Sequence, residues 1–304
     1  MIIRHAVCRL FLATTPFAIA SSAKAADTLT LNIFHSPHGI NWYSPASLAR
    51  SAIFGEVGNQ AHSIGHVDVR VDCQPVGDQR AVSIATGMTG ASADETRQLL
   101  LQDQVGLGIL FHTFQGRLRS ADEVLGEESQ FFGSSRFAQL IFDVSPTTCL
   151  RAAQYIEEFR ALGYDNLYGT PNRPRYREGA GCSAFAASVL EISGLLPFSG
   201  PEQWNLDVNV PARFVGGPLT GYTVPIRRVL LSPFATRWAD EFEPHFPLSV
   251  WDPDLFHEWV GAMVSGYTPT SRLPWSWYQV GASLVLEIDG KSIPTPVDSF
   301  WLNR

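Results

Sequence analysis

The chain has 304 residues, 45% of them hydrophobic and 17% charged, with a formal net charge of −7. That length allows one large domain, or a domain with an attached layer. The acidic balance and the lack of a Lys/Arg-rich run exclude a surface that tracks nucleic-acid phosphates.

Residues 1–25, MIIRHAVCRLFLATTPFAIASSAKA, place Arg4 and Arg9 around the start of an apolar stretch and end on Ala23-Lys24-Ala25. This is the layout of a cleavable secretory signal cut near Ala25. Its apolar run falls short of the roughly 20 residues of a membrane span, and no later stretch reaches that length. A periplasmic or secreted protein with no transmembrane span is expected.

TLTLNIF (28–34) alternates and predicts a strand. Ser44 followed by Pro45 is a helix start, a capping side chain and then proline at the first helical position. IGHVDVRVDC (64–73) is the clearest strand, with Val67, Val69 and Val71 on one side and His66, Asp68, Arg70 and Asp72 on the other. Residues 81–85 and 105–114 predict further strands, 94–101 a helix, and 137–144 another strand. Residues 146–162 read as a helix stopped by Gly163. In GCSAFAASVLEISG, positions 182, 185, 186, 189 and 190 form an apolar helical stripe, and Gly194 sits where a C′ residue belongs.

Beyond Leu196 the composition shifts, since residues 197–304 hold thirteen of the 20 prolines and seven of the eight tryptophans. Such proline density disfavours long regular elements. The expectation is an irregular layer over residues 201–304, packed on a core of residues 26–200. Its aromatics either fill that packing, the favoured reading, or line a groove for sugars or acyl chains. WDPDLFHEWV (251–260) predicts a short helix capped near Asp252.

With the leader removed, Cys73, Cys149 and Cys182 remain, an odd number in a compartment that permits disulfides. If Cys73 bonds Cys149, Cys182 stays free. Cys182 opens a helix behind Gly179 and Gly181. There it is either a packed small hydrophobe or a thiol whose pKa the helix start lowers. A nearby imidazole would take its proton, and free N–H groups of the first turn would hold an oxyanion. His66, on the polar side of a rigid strand, is the preferred partner.

Other chemistries fare worse. His62 and His66, if both on a strand, would lie roughly 13 Å apart, too far to share a metal ion. No G-x-S-x-G elbow and no G-x-x-x-x-G-K-[ST] loop occur. Neither a metal nor a cofactor is implied.

Taken together and in this order, the IGHVDVRV strand, Tyr164-Asp165 and GCSAFAASVLEISGLL resemble the circularly permuted NlpC-like, YiiX-type branch of the papain-like cysteine hydrolases. More distantly they resemble lecithin:retinol acyltransferase-like proteins. The resemblance covers roughly residues 31–196. It implies an α+β fold, a small antiparallel sheet with the cysteine helix packed on it. It also implies Cys182 as nucleophile and His66 as general base. A third polar residue normally orients the histidine; His112 is the choice, with Asp68 and Gln74 as alternatives. Gly181, Ser183, Tyr164 and Asp165 are candidate substrate-binding residues. The expected function is hydrolysis of an amide or ester, with cell-wall peptide as the natural substrate. Alternatives are a lipid-directed acyl hydrolase or acyltransferase, a noncatalytic binding protein on the same fold, and a structural envelope protein.

Overall fold

The computed structural model describes residues 26–57, 62–74, 80–90, 93–266 and 273–303, and the expected leader lies outside them. The first half of the chain forms β1 (Thr28–Phe34), α1 (Pro45–Val57), β2 (His66–Cys73), β3 (Val82–Thr86), β4 (Met88–Gly90), α2 (Ala93–Leu101), β5 (Phe114–Leu118), α3 (Ala121–Phe131) and β6 (Phe137–Asp143). Then come α4 (Pro146–Ala161), β7 (Leu167–Tyr168), α5 (Cys182–Ile192), α6 (Pro201–Trp204), β8 (Asn205–Pro211), α7 (Ile226–Leu231), β9 (His245–Trp251), α8 (Pro253–Val264), β10 (Trp275–Val280) and β11 (Ser283–Asp289).

The fold is α+β, built on a six-stranded sheet of order β10-β11-β6-β1-β2-β3. Its register pairs Leu31 with both Val69 and Leu140, and Leu140 with Leu286, so one face is a continuous apolar layer. Helices α4, α5 and α8 pack on that layer through Tyr155, Ile156, Phe185, Val189, Phe256 and Val260. Each large aliphatic side chain buried there contributes about 1.5–3 kcal/mol. The other face is polar. Asn32 stands opposite Asp68 on one side and Gln139 on the other. Helix α3 covers them, and its Glu128 takes hydrogen bonds from Asn32 (3.0 Å) and Gln139 (3.1 Å). Ser120 starts α3 with a capping box to Glu123, which fixes where that acidic helix begins.

Two expectations change here. The sheet is neither small nor wholly antiparallel, because β11 runs parallel to β6. Residues 201–304 are also more than an irregular overlay. They supply β10 and β11 to the main sheet and α8 to its core. Prolines flank these elements, as Pro274 does just before β10, and one takes the first position of α8, where a missing N–H costs nothing. The tryptophans mostly fill packing, as favoured. Trp204 is fully buried and stacks on Phe256 at 4.0 Å, whereas Trp277 is exposed. A second apolar cluster joins α1, the β8–β9 ribbon and α7 through Ala49, Val210, Leu248 and Val229.

Cys73 and Cys149 form a disulfide that ties the end of β2 to the first turn of α4. Cys182 is the free thiol.

Candidate active site

The left-handed turn at Gly65 (φ 75°) delivers the chain into β2 with His66 as its first residue. A Cβ at position 65 would come within 2.7 Å of Pro253, so the turn also needs the missing side chain. Because strand side chains alternate, His66 and Asp68 share a face. That spacing brings His66 Nε2 to 2.8 Å from Asp68 Oδ1 and leaves Nδ1 as the second ring nitrogen.

Helix α5 approaches the same end of β2 from the apolar face. All of its residues except Glu191 are buried, and its cap, Gly181, offers no side chain to the first turn. Cys182 therefore meets β2 with its sulfur beside the His66 ring and the Val67 N–H, with the Ser183 hydroxyl 3.8 Å away. Burial by itself would raise the Cys182 thiol, but the facing imidazolium outweighs it and the pKa falls to about 7. Burial would likewise lower His66, but the Asp68 carboxylate and the Cys182 thiolate carry it up to about 10. The pair is thus stabilised as thiolate and imidazolium. Cys182 is 8% and His66 7% exposed, so each keeps a small accessible surface while Asp68 has none.

The carboxylate of Asp68 is held from two further sides. Arg119 Nη1 donates to Asp68 Oδ2 at 2.7 Å, and Arg119 Nη2 reaches Glu127 of α3 and the Glu123 carbonyl. Gly87 closes the third side, since a Cβ there would lie 2.0 Å from Asp68 Oδ1. Glu127 Oε1 in turn lies 3.0 Å from His62 Nε2, off the line of a good hydrogen bond. The ring of His62 stacks on that of His66 at 4.8 Å and 15°. The separation of roughly 13 Å expected for two strand residues is overturned because His62 lies in the turn before β2, with φ 56°.

Tyr168 is the further residue at the sulfur. The positive φ of Gly179 (80°) lets the loop before α5 fold onto β7, with Ala180 N–H donating to the Leu167 carbonyl at 3.0 Å. The Tyr168 hydroxyl then neighbours both the sulfur and the N–H of Cys182. The adjacent thiolate, and then burial, raise its pKa well above 10, so the phenol stays protonated as a donor.

The structure separates the other expected site residues. His112 is not the orienting group. The segment expected as a strand instead forms a 3-10 turn, Leu107–Phe111, because Gly106 takes φ 53° and Gly108 lies against the Gly216 carbonyl. His112 Nε2 then meets Glu95 at 3.2 Å, while Asp68 holds the His66 ring. Gln74 uses its backbone N–H on Asp27. Tyr164 packs on Trp301 at 4.9 Å and Asp165 accepts from the Leu118 N–H at 3.4 Å; no described interaction joins either to Cys182 or His66. Gly181 and Ser183 do flank the thiol.

A cleft of about 480 Å³ opens on the opposite side of α5, along Ala184, Ala187, Ser188 and Glu191, and includes neither Cys182 nor His66. Among the described residues no cluster of three or more His, Cys, Asp or Glu is arranged to hold a metal ion. No described helix is long and apolar enough to cross a membrane. Compared with known proteins, the chain matches no family model, no curated protein and no solved structure.

Proposed function

We propose that this chain is an exported cysteine hydrolase of the permuted NlpC-like kind, cleaving an amide or ester through an acyl-enzyme on Cys182. One observation carries the reading. A free thiol faces an imidazole whose far nitrogen is held by a buried carboxylate, and the two ionise as a pair. A merely packed cysteine needs neither partner. The disulfide supports export, because such bonds persist in oxidising compartments.

In this mechanism His66 takes the Cys182 proton and the thiolate attacks the substrate carbonyl carbon. The Cys182 N–H and the neutral Tyr168 hydroxyl, which adjoin each other at the sulfur, would hold the resulting oxyanion. As the tetrahedral intermediate collapses, His66 protonates the leaving amine or alkoxide, giving a thioester. Water, deprotonated by His66, then attacks that thioester, releasing the acid and restoring the thiol. Asp68 and Arg119 keep the ring oriented throughout. Cell-wall peptide is the proposed substrate.

A thiol-directed vinyl sulfone probe tests the reading, followed by assay on muropeptides and on acyl esters. Selective labelling of Cys182 that is lost in His66→Ala supports it. Substrate capture without labelling, unchanged in Cys182→Ala, makes the chain a binding protein instead.

A further inference from the structure

Between Asp207 and Asp240 the chain carries four arginines and not one acidic residue, in a protein whose net charge is −7. This stretch builds the outer side of the second apolar cluster. In α7, Val229 turns inward and is fully buried. Helical spacing then places Arg227, Arg228 and Leu231 on one outward face, and all three are exposed. Neither Arg227 nor Arg228 has an ion-pair partner among the described residues. Leu231 is 80% exposed, and Phe234, three residues on, is 66% exposed. The Arg213 guanidinium lies 5.4 Å over the Phe234 ring and reaches Glu243 at 3.1 Å, beside Phe242, which is 89% exposed. Leu231 and Phe234 thus project beside Arg227 and Arg228 of α7, while Phe242 lies among Asp240, Glu241 and Glu243 and is set apart from them.

We infer that the face carrying Leu231 and Phe234 is an interfacial docking surface for an anionic lipid membrane, with these two side chains entering the headgroup boundary and Arg227 and Arg228 meeting lipid phosphates. The shape favours lipid over protein. A stable protein interface needs a packed, complementary centre, whereas these side chains stand out singly from the end of α7 and the turn after it. Shallow insertion asks only for protruding apolar groups flanked by positive charge. This inference does not rest on the chemistry of Cys182.

The test is co-sedimentation of the chain from Ala26 to Arg304, which holds every described element, with phosphatidylcholine vesicles with and without phosphatidylglycerol. Binding to the anionic vesicles alone, weakening as salt rises, is expected. Arg227→Gln with Arg228→Gln should reduce that binding by roughly twenty-fivefold, about fivefold per arginine. Leu231→Ser with Phe234→Ser should reduce it by roughly tenfold or more. All four positions are exposed, so melting temperature and circular dichroism should not change, and Cys182→Ala should bind as the parent does. Failure to bind anionic vesicles at low salt, equal binding to uncharged ones, or variants that bind as the parent does would each overturn the inference. So would a dimer that dissociates in the Leu231→Ser, Phe234→Ser chain, which would assign this face to a second copy.

Discussion

Arg119 grips Asp68 from the side opposite His66, so one carboxylate is shared by a guanidinium at 2.7 Å and an imidazole at 2.8 Å. With both oxygens engaged, the carboxylate has little freedom to swing, and the ring it holds stays aimed at the sulfur. Asp68→Asn keeps the shape but removes the charge that raises His66. The thiol should then lose its imidazolium, and its ionisation should move from about 7 toward the ordinary value near 9. Iodoacetamide reaction rates measured against pH read this directly, and turnover should fall by roughly a hundredfold or more. Arg119→Gln should move the same inflection upward by less. A purely structural loss would lower stability and leave the inflection in place.

The ion pair also sets a window for activity. Below about 7 the Cys182 thiol holds its proton and is a poor nucleophile. Above about 10 His66 is neutral and no longer supplies the leaving group with a proton. The rate of substrate cleavage should therefore rise through the first value and fall through the second. In His66→Ala the rise should move to the range of an unassisted thiol.

Gly87 has no room for even a methyl group against Asp68 Oδ1. Gly87→Ala should displace the carboxylate and cost roughly tenfold or more in Cys182 alkylation at neutral pH, with the chain still folded. A crystal structure of the variant would show Asp68 rotated away from His66. An unmoved Asp68 and an unchanged rate would contradict this account.

Glu127 is held down to about 2 from an ordinary 4.5, because His62 and Arg119 outweigh the burial that would raise it. A carboxylate lowered in this way stabilises the folded state above 4.5, and that contribution fades as pH falls through about 2. The melting temperature of the parent should exceed that of Glu127→Gln at neutral pH, and the two should converge in acid.

The disulfide closes a loop between residues 76 positions apart, which in the chain-entropy account contributes about 4.5 kcal/mol. Cys73→Ser with Cys149→Ser should lower unfolding free energy by about that amount in urea titration. The loop includes Arg119 and begins at the end of β2, the strand that carries His66 and Asp68, so Cys182 reactivity should also become more sensitive to temperature.

Local patterns revealed much of this molecule. Alternation marked β1 and β2, Ser44-Pro45 marked α1, and the apolar run after Gly181 marked α5. His66 and Cys182 were legible as chemistry-bearing residues from the elements that carry them. The rest depended on contacts between distant segments. Asp68 was visible on the His66 side of its strand, yet its contacts with His66, Arg119 and Gly87 are what distinguish it from other strand acids. His112 misled because VGLGILFHTF has a strand-like composition, while two glycines there accommodate a tight turn against the Gly216 segment. Tyr168 lay just past the Tyr164-Asp165 pair and gave no local sign, because its role depends on a loop folding back at Gly179. The edge strand β10 and its neighbour β11 were obscured by the prolines around them.

β6 gains its second neighbour only when β11 arrives, about 150 residues later in the chain. Arg175, in the loop before α5, is also bound by the Phe300 and Ser299 carbonyls and the Asp298 carboxylate at the extreme carboxyl end. The groups described at the sulfur thus lie between residues 66 and 183, yet the scaffold that holds them is completed by residues 283–300. A fragment cut near the middle would keep the reactive groups and lose their alignment. The reactive pair has no minimal half, because segments on both sides of it in the chain are needed to hold it in place.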